Sequence, residues 1–241
     1  MARFVLVHGA FGGAWSWEAV IPALAAAGHT AEAFDLPGAG EDRTPVADIT
    51  LGSYAARACE VLTARPEPAV LVGFSMGGVV VTQAASDCPD RVASLVFVAA
   101  FMPSNGQSLI ELTDLPEGAG NMIKENLVVA GDPPVATLPD EAALTGIYNR
   151  CTPEQAARAM KRRRPQAVLP LSTPVSVDEA VLATIPRSYV FTKHDRSMVP
   201  ALQRRLIRDH PCERVIEIEA DHAPFFSVTG ELVAALLQLA S

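Results

Sequence analysis

The chain has 241 residues, of which 49% are hydrophobic and 19% charged, and this composition fits one large α/β globular domain rather than a disordered or fibrous protein. The formal net charge of −8 argues against nucleic acid or an anionic membrane surface as the main partner. No Cys-x-x-Cys pair occurs, so the four scattered cysteines predict reduced thiols rather than a disulfide framework or a zinc site: Cys59, Cys88, Cys151 and Cys212.

Apolar runs alternate with helical patterns over most of the chain. The predicted strands lie at residues 4–7, 30–36, 69–74, 93–100, 188–192 and 214–219. The predicted helices lie at residues 17–27, 51–64, 76–86, 200–209 and 231–239. Most of the strands are apolar on both faces, which indicates a mostly parallel sheet of about six strands covered by helices.

One segment interrupts this alternation. Residues 103–186 begin rich in proline and glycine and then show helical patterns at 139–148 and 153–164. We therefore predict a core formed by residues 1–102 and 187–241, with residues 103–186 inserted as a cap over the carboxyl ends of the strands. A separate domain is the alternative for this segment. Its basic run from Lys161 to Arg164 is interpreted as the solvated last turn of a helix.

The most informative motif follows the third predicted strand. There Gly73-Phe74-Ser75-Met76-Gly77 is the Gly-x-Ser-x-Gly pattern, set between a buried strand and an apolar helix. This arrangement is typical of a nucleophile elbow, in which a sharp turn exposes the serine hydroxyl. Glycines on either side leave room where strand and helix crowd together. Ser75 is therefore the candidate nucleophile.

A serine hydroxyl needs a base, and the base needs an acid to orient it. His222 follows the last predicted strand, and Asp195 follows the strand before it. Loops at the carboxyl ends of parallel strands converge on one crevice, so both residues are expected to reach Ser75. Asp221 is the alternative acid, although its side chain should point away from the neighbouring histidine ring.

Developing charge on the substrate oxygen requires two backbone N–H donors. Met76, directly after the nucleophile, is predicted to supply one of them. The second should come from the loop after the first strand, where we favour Ala10 and Phe11 is the alternative. His8, which begins this loop, is interpreted as a structural residue that shapes it.

These residues resemble the α/β-hydrolase family, and within it the small branch that contains plant methylesterases, hydroxynitrile lyases and bacterial carboxylesterases. The matching pieces span nearly the whole chain: residues 4–10, 15–17, 27–29, 35–40, 73–78, 151–154, 192–195 and 221–222. The resemblance implies a parallel sheet with a helical cap and no cofactor. It also implies that Ser75, Asp195 and His222 form a catalytic triad.

Departures from the branch bear on the reaction. Hydroxynitrile lyases of this branch carry threonine where this chain has Gly9, and lysine where it has Ala223. Their absence favours ester hydrolysis over cyanohydrin cleavage. Phe74 stands before the nucleophile, where histidine or glutamate is common in the family.

The expected function is a serine esterase that acts on small to medium hydrophobic or aromatic esters, with methyl esters suggested by the resemblance. A lyase, amidase or cyclase that uses the same triad is one alternative, and a low-turnover binding protein is another. The expected partner is a small-molecule ester, with neither nucleic acid nor membrane, and a homodimer is left open. No secretion signal or membrane span is found in the sequence, so the cytoplasm is the expected location. The candidate pocket residues are Phe11, Phe101, Met102, Met122, Tyr148, Met160, Met198 and Phe225.

Overall fold

The computed structural model describes residues 1–240 and contains two sheets. Its strands are β1 Arg3–Val7, β2 Thr30–Ala33, β3 Ala69–Phe74, β4 Val92–Val98, β5 Val128–Ala130, β6 Val135–Thr137, β7 Gln166–Ala167, β8 Arg187–Thr192 and β9 Arg214–Ile218. Its helices are α1 Val20–Ala26, α2 Leu51–Thr63, α3 Gly77–Asp87, α4 Leu109–Thr113, α5 Met122–Asn126, α6 Asp140–Gly146, α7 Pro153–Met160, α8 Leu169–Ser172, α9 Glu179–Leu182, α10 Pro200–Asp209, α11 Pro224–Ser227 and α12 Thr229–Leu239.

Six of the strands form the central sheet in the order β2-β1-β3-β4-β8-β9. All five pairings between neighbours are parallel, so the predicted α/β fold with a parallel six-stranded sheet is confirmed. β3 and α10 have the predicted bounds. The first helix begins later than predicted, because Ala14–Trp17 forms a separate 3-10 turn.

Helices flank the central sheet in two packed pairs, α1 with α12 and α2 with α3. In α2, Thr50 caps the first turn through a capping box with Ser53. The apolar side chains of this helix recur at helical spacing, and it therefore buries one face against the core: Leu51, Tyr54, Ala55, Ala58, Val61 and Leu62. None of the helices in residues 1–240 combines the length and the apolar character needed to cross a lipid bilayer.

The prediction of four reduced thiols is wrong for two of them. Cys59 in α2 and Cys88 at the end of α3 form a disulfide, with their Cα atoms 6.1 Å apart. That separation lies in the usual range for a disulfide. The two cysteines are 29 positions apart in sequence, and it is the packing of α2 on α3 that brings them together. Cys151 and Cys212 are free thiols.

Residues 99–186, here called the intervening segment, lie between β4 and β8 of the central sheet. They contain α4 to α9 and a small antiparallel sheet in the order β5-β6-β7. The predicted helical regions at 139–148 and 153–164 correspond to α6 and α7. The small sheet escapes sequence analysis because its strands are only two or three residues long and β5 is exposed throughout.

The basic run after α7 is not simply solvated, which corrects the sequence interpretation. The Arg162 guanidinium lies 5.0 Å from the Trp15 ring and pairs with Glu18 at 2.8 Å. The backbone N–H of Arg164 donates to the carbonyl of Phe11 at 3.2 Å. The run therefore attaches the intervening segment to the loop after β1.

Candidate active site

Ser75 occupies a strained turn between β3 and α3. Its φ of +53° lies in the left-handed region, which non-glycine residues rarely adopt. Its N–H donates to the carbonyl of Val98 at 3.2 Å, which ties the turn to β4. The flanking glycines are sterically required, because a Cβ on Gly73 would lie 2.7 Å from the carbonyl oxygen of Gly77. The backbone therefore has the form of a nucleophile elbow.

Three side chains from three strand ends form one hydrogen-bonded chain at this turn. The Ser75 Oγ lies 3.0 Å from Nε2 of His222, and Nδ1 of His222 lies 2.7 Å from Oδ2 of Asp195. Their exposures are 7%, 2% and 3%, respectively, so the chain is shielded from bulk water. Because Nδ1 faces a carboxylate, Nε2 of the neutral ring is left to accept the serine proton.

Asp195 is held in place by three donors besides the imidazole. The Thr192 hydroxyl donates to Oδ2 at 2.9 Å, and the backbone N–H groups of Ser197 and Met198 each donate to Oδ1 at 2.8 Å. The acid is thereby fixed in orientation against His222.

Asp221, the alternative acid, has a different set of partners. Its carboxylate accepts hydrogen bonds from the backbone N–H of Arg150 at 2.8 Å and from the Ser227 hydroxyl at 2.7 Å. The Cys151 thiol also contacts this carboxylate. The pKa of the Cys151 thiol is raised, mainly by burial and to a lesser extent by the negative charge of Asp221. Asp221 thus connects the loop that carries His222 to the intervening segment.

The loop after β1 borders the same site. His8 is fully buried, with Nδ1–H donating to the Gly9 carbonyl at 2.8 Å and Nε2 accepting from the Leu36 N–H at 3.1 Å. Burial lowers its pKa, so the neutral ring is the favoured form and shapes the loop. Ala10 and Met76 line the cavity beside Ser75, and among residues 1–240 neither of their N–H groups has a hydrogen-bond partner.

Phe74 supports the imidazole from behind. Its ring centroid lies 4.8 Å from that of His222 and 5.0 Å from that of Phe225. A Cβ placed on Gly9 would lie 2.9 Å from two ring carbons of Phe74. The phenyl ring therefore occupies the space that a larger residue at position 9 would need.

A cavity of about 200 Å³ opens onto Ser75 and His222. This is smaller than the roughly 300–1,000 Å³ that is usual for drug-sized ligands. Its wall is predominantly apolar and combines side chains of the core and of the intervening segment: Phe11, Phe101, Leu109, Ile123, Leu127, Val168, Leu171 and Met198. The arrangement suits a small apolar molecule with one reactive group at the serine.

The candidate pocket residues divide into two groups. Phe11, Phe101 and Met198 line the cavity, whereas the other five do not, which corrects the sequence expectation: Met102, Met122, Tyr148, Met160 and Phe225. Phe225 instead packs on Trp17 and Phe74 behind the imidazole, and Tyr148 lies against Phe226. The size and apolarity of a residue do not reveal whether its side chain lines the cavity or packs in the core.

Two short helices were not predicted from the sequence: α4, which supplies Leu109 to the cavity wall, and α5, which supplies Ile123 and is capped by Asn121. A signal for α4 was available, because Ser108 and Glu111 have the spacing of a capping box and form one in the structure. No comparable signal marks α5. No group of three or more His, Cys, Asp or Glu side chains in the described part of the chain has an arrangement that would hold a metal ion.

Known proteins share this fold and sequence pattern. The family described as "Alpha/beta hydrolase family" matches residues 4–236. Methylesterase 7 of Arabidopsis thaliana is 33% identical over 249 residues, which cover 99% of this chain and 96% of the relative. A second relative, the putative chloroplastic methylesterase 11 of the same plant, is 31% identical, and this chain spans only 64% of its length.

Solved structures agree with this assignment. Polyneuridine aldehyde esterase superposes with a TM-score of 0.91 at 27% identity, covering 100% of both chains. A methylesterase from Arabidopsis superposes with a TM-score of 0.84 at 26% identity, covering 99% of this chain and 98% of the other. The chain therefore belongs to the α/β-hydrolase family, in the branch that contains the plant methylesterases.

Proposed function

We propose that this chain is a serine hydrolase that cleaves carboxylic esters of small to medium hydrophobic or aromatic substrates through an acyl-enzyme. The observation that carries the proposal is the hydrogen-bonded chain from Ser75 through His222 to Asp195, which opens onto an apolar cavity. Similarity to methylesterases supports methyl esters as the first substrates to test.

The reaction follows from the geometry. His222 takes the proton of Ser75 as Oγ attacks the ester carbonyl, and Asp195 stabilises the imidazolium that forms. The N–H groups of Met76 and Ala10 receive the oxyanion. The imidazolium then protonates the leaving alcohol, and a water molecule repeats the sequence on the acyl-enzyme to release the acid.

Residues 103–186 are proposed to act as a cap that selects the substrate. Support comes from the cavity wall, to which this segment contributes Leu109, Ile123 and Leu171. The contact of Asp221 with Arg150 joins the same segment to the His222 loop. Substrate choice should therefore change with cap residues while the chemistry stays with the core.

Nothing specific favours the lyase alternative. Gly9 and Ala223 carry neither the hydroxyl nor the ammonium group found at these positions in the hydroxynitrile lyases of the branch. The Phe74 ring, moreover, occupies the space that a threonine side chain at position 9 would enter.

The test compares wild type with Ser75→Ala and His222→Ala on a p-nitrophenyl ester series and on methyl benzoate. The proposal predicts turnover by wild type and a loss of at least about a thousandfold in kcat for each variant. Full activity of Ser75→Ala, or release of cyanide from mandelonitrile without any ester hydrolysis, would rule the proposal out.

A further inference from the structure

Asn121 is a polar residue of the cavity wall whose hydrogen-bonding capacity is only half used. It precedes α5, is 4% exposed and lines the same cavity as Ser75. Its Oδ1 accepts hydrogen bonds from the N–H groups of Ile123 at 3.0 Å and Lys124 at 3.1 Å, as an N-cap residue does. These two bonds identify the oxygen of the carboxamide and fix its orientation.

The other end of the carboxamide has no protein partner. Within residues 1–240, Nδ2 of Asn121 donates to no protein atom, although it carries two N–H groups. The atom is not fully buried, since it keeps some accessible surface in the cavity that Asn121 lines. A ligand oxygen that enters the cavity can therefore accept a hydrogen bond from it.

The other polar side chains of the wall already have protein partners. The Thr113 hydroxyl donates to the Ile110 carbonyl at 2.7 Å, and the Ser197 hydroxyl donates to the Gly146 carbonyl at 3.0 Å. Lys124 forms an ion pair with Asp114 at 2.7 Å. The same ammonium donates to the Thr113 carbonyl at 3.2 Å, and Lys124 is exposed to solvent. Apart from the catalytic groups, Asn121 is therefore the neutral side chain in the described cavity wall that has N–H donors to offer.

We infer that Asn121 determines specificity, and that the preferred ester carries a second, neutral oxygen acceptor such as a ketone besides the scissile group. The inference rests on the esterase function proposed above. A neutral oxygen is favoured over a carboxylate because the wall is apolar and its one ammonium, on Lys124, is already paired. The N–H groups of Asn121 would hold this oxygen and so orient the ester toward Ser75.

The test uses methyl esters of oxo acids with the ketone at carbon 3, 4, 5 or 6. Each is compared with the ester of the same chain length that has a methylene in place of the ketone. For wild type, kcat/KM should be about three to ten times higher for at least one oxo ester than for its partner, as expected for one neutral hydrogen bond. The position of the ketone in the best substrate then indicates how far Asn121 lies from the ester carbonyl.

Two variants remove both carboxamide N–H groups but keep the helix cap, and the one O–H that serine offers lies closer to the backbone than Nδ2 does. Asn121→Asp retains an acceptor of the same shape, and Asn121→Ser retains a neutral capping hydroxyl. Both should lose the preference for the oxo ester. Asn126→Asp is the matched control, because Asn126 lies in α5, the helix that Asn121 caps, donates to the Met122 carbonyl at 2.9 Å and does not line the cavity. Its preference should match that of wild type.

The inference is overturned if wild type shows no preference at any ketone position, or if Asn121→Ser keeps it. Binding separates this result from failure of the esterase proposal. Calorimetric titration of Ser75→Ala, with and without Asn121→Ser, compares the affinity of the same ester pairs without turnover. If wild type hydrolyses no ester but Ser75→Ala prefers oxo esters only while Asn121 is present, the proposed function fails and the role of Asn121 stands.

Discussion

Gly9 and Phe74 should be energetically coupled, and Gly9→Ala tests this. The new Cβ would lie 2.9 Å from two Phe74 ring carbons and 3.0 Å from the Ser75 Cβ, whereas ordinary carbon contacts are about 3.5–4.0 Å. The ring has little freedom to move, because His222 and Phe225 pack against it. Overpacking of this kind costs about 1–3 kcal/mol of the free energy of unfolding. Displacing the ring that supports His222 should also lower kcat/KM by about tenfold or more.

The assay is a double-mutant cycle of Gly9→Ala and Phe74→Leu, with urea unfolding and p-nitrophenyl ester hydrolysis measured for each variant. The smaller side chain at position 74 should offset part of the clash, so we expect a coupling of about 1 kcal/mol. Gly230→Ala in α12 is the control, because its Cβ would meet nothing within 4 Å. The reasoning is refuted if Gly9→Ala unfolds and turns over like wild type, or if the two changes are additive.

Three further predictions concern stability and the roles of two aspartates. Replacing Cys59 and Cys88 by serine removes a cross-link between residues 29 positions apart. The free energy of unfolding, measured by urea titration, should fall by about 3.6 kcal/mol, and a fall of less than about 1 kcal/mol would contradict this prediction. Burial lowers the pKa of His8 in the folded state. The contribution of the neutral His8 ring to the free energy of unfolding should therefore be complete above its pKa in the unfolded chain, about 6.5, and be lost as the pH falls through its pKa in the folded protein. The stability difference between wild type and His8→Gln should therefore shrink from pH 7.5 to pH 5, and parallel curves would exclude His8 as the source. Asp195→Asn should lower kcat by about 10³–10⁴-fold. Asp221→Asn should lower kcat by less than about tenfold and should lower the free energy of unfolding by about 1–3 kcal/mol. Similar losses of kcat in the two variants would refute this assignment of roles.

The sequence predicted the fold and the candidate site best where apolar strands alternate regularly with helices. Parallel strands place their carboxyl ends at one edge, so positions just after β3, β8 and β9 were enough to bring Ser75, Asp195 and His222 together. Apolar runs predicted the inner strands β1, β3, β4 and β8 because most of their residues are buried.

The remaining features depend on contacts between distant parts of the chain. The Cys59–Cys88 disulfide requires the packing of α2 on α3, and the small sheet requires β6 to pair with β5 and β7. The cavity wall is formed in part by short helices without a readable period, and this is why Asn121 was not foreseen. Large apolar residues such as Phe225 were misassigned because their type fits a core and a pocket equally well.

Three non-glycine residues around the site have positive φ angles: Phe11, Ser75 and Ala99. Each such conformation costs about 1–3 kcal/mol, against a net stability of about 5–15 kcal/mol for a typical domain. Glycine at Ala99 would relieve that strain and also loosen the backbone that surrounds the serine, whereas at Phe11 it would remove a buried ring at a cost of about 3–5 kcal/mol. Directed evolution toward a higher melting temperature alone would therefore favour substitutions that weaken turnover, so variants of this protein need selection for heat resistance and ester cleavage together.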